Sequence, residues 1–406
     1  MPNFYAPGIY VVEESTGANP IQPVGTSTAA FVGRAPDDKA RLNTAFPVDN
    51  WTQFKDNYCK LDNPPSTYLA NAVYGFFRNG GRRCYVVNIG ASDSLTGKGN
   101  TKAGLDLLES VDEVALVAAP GFTSALAYES LLTHCEQMRD RFAILDSPET
   151  FDTVDALTKT ALAPVPPPAG GTKDPALAGA AKDQGLRARE SKDGYGAYYA
   201  PWITVSDALT SKLVNVPPSG HMAGIYARVD ATRGVHKAPA NETINEAVNV
   251  TYPISRAEQE MLNPNGVNCI RVFAREGVLV WGARTLAVTK GEWRYVNVRR
   301  LFNMVEESIA NSTRWVVFEP NDRTLWKSIV RDVRAFLMML WRDGALMGRS
   351  PEEAFFVQCD DETNPPESID QGLVVTRIGI APVKPAEFVV FRIGQSVGGT
   401  KVETEK

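Results

Sequence analysis

Histidine is nearly absent: three stand among 406 residues, so a catalytic or metal-binding cluster built on imidazole has almost no raw material. His134 lies beside Cys135, but helix neighbours project about 100° apart and cannot close a metal site alone. The cysteines Cys59, Cys84, Cys135, Cys269 and Cys359 are odd in number and show no Cys-x-x-Cys spacing. That pattern argues against a disulfide framework and against structural zinc, and predicts a reduced chain. No basic excess exists either, since 42 Lys and Arg face 47 Asp and Glu for a net charge of −5. Nucleic acid and anionic membranes are thereby excluded as main partners. No apolar run approaches the ~18 residues that span a bilayer, and no charged-then-apolar leader opens the chain. The expectation is synthesis in the cytoplasm, with no cofactor, no metal and no direct membrane insertion.

What is present is a folding composition, 44% apolar and 22% charged, in a chain long enough for two or three packed units. Prolines 2, 7, 20 and 23 forbid a helix at the start, while Ile9-Tyr10-Val11-Val12 is β-branched and aromatic, so one short strand over about 8–14 precedes the body. Strands are predicted at 29–33, 84–89, 114–119, 142–146 and from 198, alternating with helices at 66–79, 102–110 and 124–141. Short apolar strands alternating with helices indicate βαβ crossovers and a mostly parallel sheet covered on both faces. Residues 163–185 are too rich in Pro, Gly and Ala to pack, and 216–241, with Pro217-Pro218 and several glycines, also read as an irregular loop. The last third reads as α-β-α-β-β-β: helices at 292–311 and 323–343 around a strand at 315–318, then strands at 354–359, 373–380 and 388–393. The predicted organisation is an extended arm over 1–23, an α/β body over 24–280, an α+β unit over 281–385, and a strand arm with tail over 386–406.

No segment carries convincing chemistry. The glycine-rich stretch 90–99 has the wrong spacing for a phosphate-binding loop, with Gly99 where a hydroxyl should hold magnesium. Gly25-Thr26-Ser27-Thr28-Ala29 and Ser219-Gly220-His221-Met222 echo subtilisin nucleophile and histidine segments, which makes a Ser27/His221 hydrolase the alternative reading. Chain order opposes it, because Ser27 precedes every histidine. Carboxylate pairs such as Glu306-Glu307 and Asp360-Asp361 stand apart from His or Cys and read as solvated faces. A structural or interaction protein remains, with no catalytic residue.

Several longer segments resemble one family, the contractile tail sheath proteins of bacteriophages and phage-tail-like injection particles. They include Tyr5-Ala6-Pro7-Gly8-Ile9-Tyr10, Tyr198-Tyr199-Ala200-Pro201-Trp202, Gly234-Val235-His236-Lys237, Trp281-Gly282-Ala283-Arg284, Trp293-Arg294-Tyr295-Val296-Asn297, Phe318-Glu319-Pro320-Asn321-Asp322 and Pro385-Ala386-Glu387-Phe388. The finer pattern is similar to the short sheaths of extracellular injection particles.

The resemblance implies a three-layer α/β domain of subtilisin-like topology without its triad, and a C-terminal α+β domain facing an inner tube. It further implies subunits stacked as hexameric rings in a helical cylinder, knitted by strands that neighbours exchange. A lone strand leaves a row of unpaired N–H and C=O groups that a partner's sheet edge can satisfy, so this is physically sensible. The expected arm residues are Ile9, Tyr10, Val11, Val12 and Glu13 at one end, and Phe388, Val389, Val390, Phe391 and Ile393 at the other. Arg331, Arg334, Arg342 and Arg349 form the expected tube-facing patch. Partners implied are further copies of the chain, the tube protein, and baseplate and cap proteins, in a virion tail or a particle released from the cell.

Overall fold

Alternation along β1 (Ala29–Gly33) sends Ala29 and Phe31 into one apolar cluster and Ala30 and Val32 into another, so both faces of its sheet are covered. A computed structural model of the chain describes residues 20–99, 101–162, 185–289 and 291–390. Within them β1 lies inside a nine-stranded sheet, between β3 (Cys84–Asn88) and β4 (Leu116–Ala118). The parallel run continues through β5 (Phe142–Asp146), β6 (Gly196–Ala200) and β11 (Val267–Phe273). Antiparallel strands close both sides: β2 (Phe46–Val48) beyond β3, and β12 (Gly277–Trp281) with β9 (Glu242–Thr243) beyond β11. A smaller sheet orders β10 (Ala247–Val250), β7 (Ile203–Ser206) and β8 (Leu213–Val216), and a short helix, Arg256–Leu262 (α5), leads from β10 toward β11.

Helix Trp51–Tyr58 (α1) and helix Tyr68–Arg78 (α2) connect β2 to β3, and α2 packs on the Phe31 face; helix Ala125–Met138 (α3) covers the other. The α/β expectation holds as a mixed α/β architecture with one large sheet and smaller ones. Two expectations for this part need correction. Residues 216–241 are not an irregular loop, because Ser219–Arg233 form a buried fifteen-residue helix, α4. Its glycines serve close packing: a Cβ on Gly220 would lie 2.3 Å from the Ala72 Cα, and one on Gly224 2.5 Å from the Phe76 carbonyl oxygen. The proline pair sits at the helix start, where a missing N–H costs nothing. The helix expected over 102–110 shrinks to a 3-10 turn, Leu105–Ser110, with Gly104 at φ 58° before it. Residues 163–184 lie outside the described residues.

A third apolar cluster belongs to the C-terminal unit, where helix Val296–Ser312 (α6) and helix Arg323–Arg342 (α7) contribute Leu301, Val305, Trp326 and Phe336. The Asp322 carboxylate accepts from the Thr324 and Leu325 N–H groups at 2.9 and 2.8 Å, fixing where α7 begins. A two-stranded antiparallel sheet, β13 (Phe355–Gln358) with β14 (Arg377–Ile380), completes the unit. The strand expected at 315–318 is absent, replaced by a 3-10 turn Arg314–Val316 and an exposed Phe318 at φ 70°. Its β-forming side chains meet no neighbouring strand among the described residues, and the chain reverses there between two long helices. The strand expected over 373–380 covers only Arg377–Ile380.

Candidate functional site

Two straps of chain, one near each end, are fastened to the folded body just before they reach the expected arms. The C-terminal strap starts after β14, where Ala381 N–H donates to Ala354 and Met347 N–H to Ala381 at 2.8 and 2.7 Å. Asn297 Nδ2 then donates to the carbonyls of Val383 and His236 at 3.0 and 2.7 Å, tying the strap to the body. Last comes Glu387. Arg284 Nε and Nη2 each donate to it at 2.8 Å, Asn263 Nδ2 at 2.7 Å and the Tyr295 hydroxyl at 3.1 Å. Burial alone would raise the Glu387 carboxyl, but these donors overcome that and leave its pKa below the usual value. A planar guanidinium matched to a carboxylate also fixes direction, which a point charge would not. Immediately beyond, Phe388, Val389 and Val390 are 74, 70 and 79% exposed.

The N-terminal strap lies along α6. Ile21 is buried in the third cluster, and the Gln22 and Val24 N–H groups donate to the hydroxyls of Ser312 and Ser308 at 3.3 and 3.0 Å. Thr26 Oγ1 donates to Asp230 at 2.6 Å, and Arg300 donates to the same carboxylate at 2.6 and 3.0 Å and to the Thr26 carbonyl at 2.9 Å. Arg300 and Asp230 side chains are 3 and 6% exposed, so this is a buried, fully engaged pair. Arg300 also lies over the Tyr226 ring at 4.7 Å, while the neighbouring Arg299 lies over Trp293 at 4.2 Å.

Arg284, Tyr295, Asn297, Arg300 and Glu387 all come from the polar-aromatic segments over 281–300 and 385–388; the fold brings Arg284 and Tyr295 to Glu387, while Asn297 holds the C-terminal strap and Arg300 the N-terminal one. Residue-by-residue reading assigned them no role. The available signal was isolated charge inside aromatic sequence, which does not reveal a partner 103 residues away.

Of the expected arm residues, Ile9, Tyr10, Val11, Val12, Glu13, Phe391 and Ile393 lie outside the described residues, and Phe388, Val389 and Val390 pair with no strand among the described residues. Arg331, Arg334 and Arg342 fall within about 80° of arc on the exposed face of α7, and Arg349 follows beyond the helix. Acidic groups dilute the patch: Arg331 Nε donates to Asp332 at 2.9 Å, and the Arg334 charge contributes to lowering the Glu352 pKa, after local hydrogen bonds.

The hydrolase alternative has no support in the geometry. His221 is 1% exposed, neither ring nitrogen has a hydrogen-bond partner, and burial pushes its pKa down to about 4. An imidazole without a partner cannot take the proton of Ser27. In the glycine-rich stretch, the Gly97 and Ala103 N–H groups are spent on the Asp106 carboxylate at 2.7 and 3.3 Å. Among the described residues no group of three or more His, Cys, Asp or Glu is placed to hold a metal, and no helix is long and apolar enough to cross a membrane.

Comparison with known proteins agrees with the geometry. Residues 97–286 match the family model for the phage tail sheath protein central domain, and residues 289–396 that for the phage tail sheath C-terminal domain. The tail sheath protein of Salmonella phage ViI is 24% identical over 387 residues, covering 92% of this chain and 58% of that protein. The chain spans about half the length of the curated relatives it matches. Among solved structures, the PVC sheath complex of an extracellular contractile injection system in its contracted state superposes with a TM-score of 0.74 at 29% identity, covering 98% of this chain and 99% of that one. A chain of the anti-feeding prophage baseplate in its contracted state superposes with a TM-score of 0.71 at 30% identity, covering 96% and 99%.

Proposed function

Because this chain belongs to the phage tail sheath family, we propose that it is the structural subunit of a contractile sheath, polymerising as stacked hexameric rings around an inner tube. The observation that carries this reading is the pair of clamped straps. Each fastens the chain firmly at its root, and the C-terminal one leaves an apolar run, 388–390, exposed among the described residues. A strand so held and so exposed is suited to pairing with a neighbour's sheet edge, and such head-to-tail contacts build rings and helical tubes rather than closed dimers. In this reading the arm contacts are made by residues 9–13 and 388–393, the body keeps a subtilisin-like topology without its triad, and the arms, body and C-terminal unit divide at about 23, 280 and 385.

The work is mechanical. Subunits assemble in a stretched lattice, and a baseplate trigger releases them into a shorter one with more contact between copies, driving the tube through a target envelope. A gain of a few kcal/mol per subunit, the scale of a modest interface change, adds up over many coupled copies. Arg331, Arg334, Arg342 and Arg349 supply the tube-facing charge, and the particle also carries baseplate and cap proteins. The subunit is made in the cytoplasm and serves in a virion tail or a phage-tail-like particle. Electron microscopy of the purified chain, alone or with its tube, tests the reading: hollow cylinders are expected, and a strictly monomeric protein at high concentration contradicts it.

A further inference from the structure

Where the N-terminal strap crosses α6 it closes a cavity of about 10 Å³, room for about one water molecule, and Glu307 stands in its wall. The strap supplies Val24, Gly25 and Thr26 to that wall, and the body supplies Ala115 and Asp140. Glu307 therefore lies where strap, body and C-terminal unit meet. The next residue along α6, Ser308, accepts the Val24 N–H at 3.0 Å, so the strap is fastened one residue away from it. The cations nearby are committed elsewhere. Arg141, fully buried, donates through Nε and Nη2 to Asp140 at 2.6 and 3.1 Å and through Nη1 to the Leu108 carbonyl at 2.8 Å, with the His134 ring 3.5 Å away. Arg300, also in the wall, is taken up by Asp230 and the Thr26 carbonyl, and Arg299 by Asn303 and Glu306 at 2.7 and 3.1 Å. Residues 20–28 of the strap carry no charged side chain. Burial first, then the Asp140 charge, lift the Glu307 pKa from 4.5 to about 7; Arg141 opposes the rise, Asp112 adds to it, and a hydrogen bond with Asn311 opposes it. His134 protonates only near pH 4 and stays neutral through this range.

We propose that the N-terminal strap is a proton-sensitive latch, seated over a neutral Glu307 and loosened when that carboxyl loses its proton to solvent. An ionised Glu307 under the strap shares a nearly dry cavity with Asp140, while lifting the strap returns it to water. Protonation is favoured in the seated form, so the latch is firmest below about pH 4.5. As pH rises the open form gains by at most about tenfold per unit, and the gain levels off above about 7. The device sits within one subunit, at the root of one strap, and works whether or not copies polymerise.

Hydrogen exchange at the Gln22 and Val24 amides of the full chain tests this, expressed as protection so that the intrinsic dependence of exchange on base cancels. Wild-type protection should fall by up to about thirtyfold between pH 5 and 7 and then level off. In Glu307→Gln, which keeps the shape and is neutral at every pH, protection should stay level and should exceed the wild type's at pH 8. Asp112→Asn, at an exposed position, withdraws one repelling charge, so protection should fall less in total and level off at lower pH. Wild-type protection that falls no more than that of Glu307→Gln overturns the proposal, as does a Glu307→Gln strap less protected than the wild type's at pH 8. Should Glu307→Gln not fold, an Asp112→Asn profile identical to the wild type's overturns it alone. Cylinder formation does not enter this readout, so failure of the latch and failure of the sheath reading are separate results.

Discussion

Arg284 grips Glu387 through two hydrogen bonds of 2.8 Å, so a residue just past the body's last sheet strand fixes the point at which the C-terminal arm departs. The two side chains are 12 and 20% exposed, dry enough for the pair to matter and wet enough to form reversibly.

Glu387→Gln should therefore keep the fold while loosening the arm. Truncating one partner of such a pair costs about 1–3 kcal/mol, read as a lower melting temperature, and assembly into cylinders should fall more steeply than stability. Arg284→Lys keeps the charge and loses the fork, so it should behave like Glu387→Gln in assembly. The Glu387 pKa is lowered on folding, so its contribution is present above the unfolded value and is lost as pH falls through the folded one. Acid should weaken the wild type toward the level of Glu387→Gln, and wild-type behaviour equal to the variant's at neutral pH would remove the pair's importance.

The N-terminal root predicts a larger effect. Asp230→Ala leaves Arg300 buried without its carboxylate, and breaking a buried pair costs about 3–5 kcal/mol. Thr26→Ala removes one hydrogen bond and should cost about 1 kcal/mol. Urea unfolding of the two variants, alone and combined, should show less than additive losses, because Thr26 and Arg300 share Asp230.

Helix α4 supplies a packing prediction. A Cβ on Gly75 would lie 2.3 Å from the His221 ring, and the fully buried side chain has no room to retreat. Gly75→Ala should destabilise by at least the ~1–3 kcal/mol typical of overpacking, even though alanine favours helix. A stabilised Gly75→Ala protein would contradict this packing.

This helix also shows where sequence reading stops. Strands such as 29–33 and 142–146 were legible because a buried strand in a parallel sheet is a short apolar run between turns, a purely local signal. Residues 219–233 carry glycines and polar groups on a helix buried all round over 219–227, and its identity depends on Ala72, Gly75 and Phe76, far away in sequence. The Trp315-Val316-Val317-Phe318 stretch failed for the opposite reason, since its local β preference finds no partner strand among the described residues. The clamp at Glu387 was legible as an unusual segment but not as a contact, because a pairing across 103 residues has no local signature.

His221 offers a pH test of its buried environment. Its folded pKa is about 4 against 6.5 unexposed to the fold, so between those values the unfolded chain binds more protons than the native one. Stability linked to His221 is then complete above about pH 6.5 and declines as pH falls toward 4, by at most about 1.4 kcal/mol per unit. Asp146 and Glu307, both raised to about 7 by burial first of all, act in the opposite sense, because their protonated forms are favoured in the native state. His134, lowered to about 4 by burial and then by Arg141, acts in the same sense as His221. The pH profile of the whole protein mixes these groups with others, Glu387 among them, so the informative quantity is the stability difference between wild type and His221→Leu. That difference should be level above pH 7 and should fall steadily in favour of the variant from pH 6.5 to 4. A flat difference across that range would mean that His221 titrates in the native protein as it does in the unfolded chain, and so is not sealed against α2.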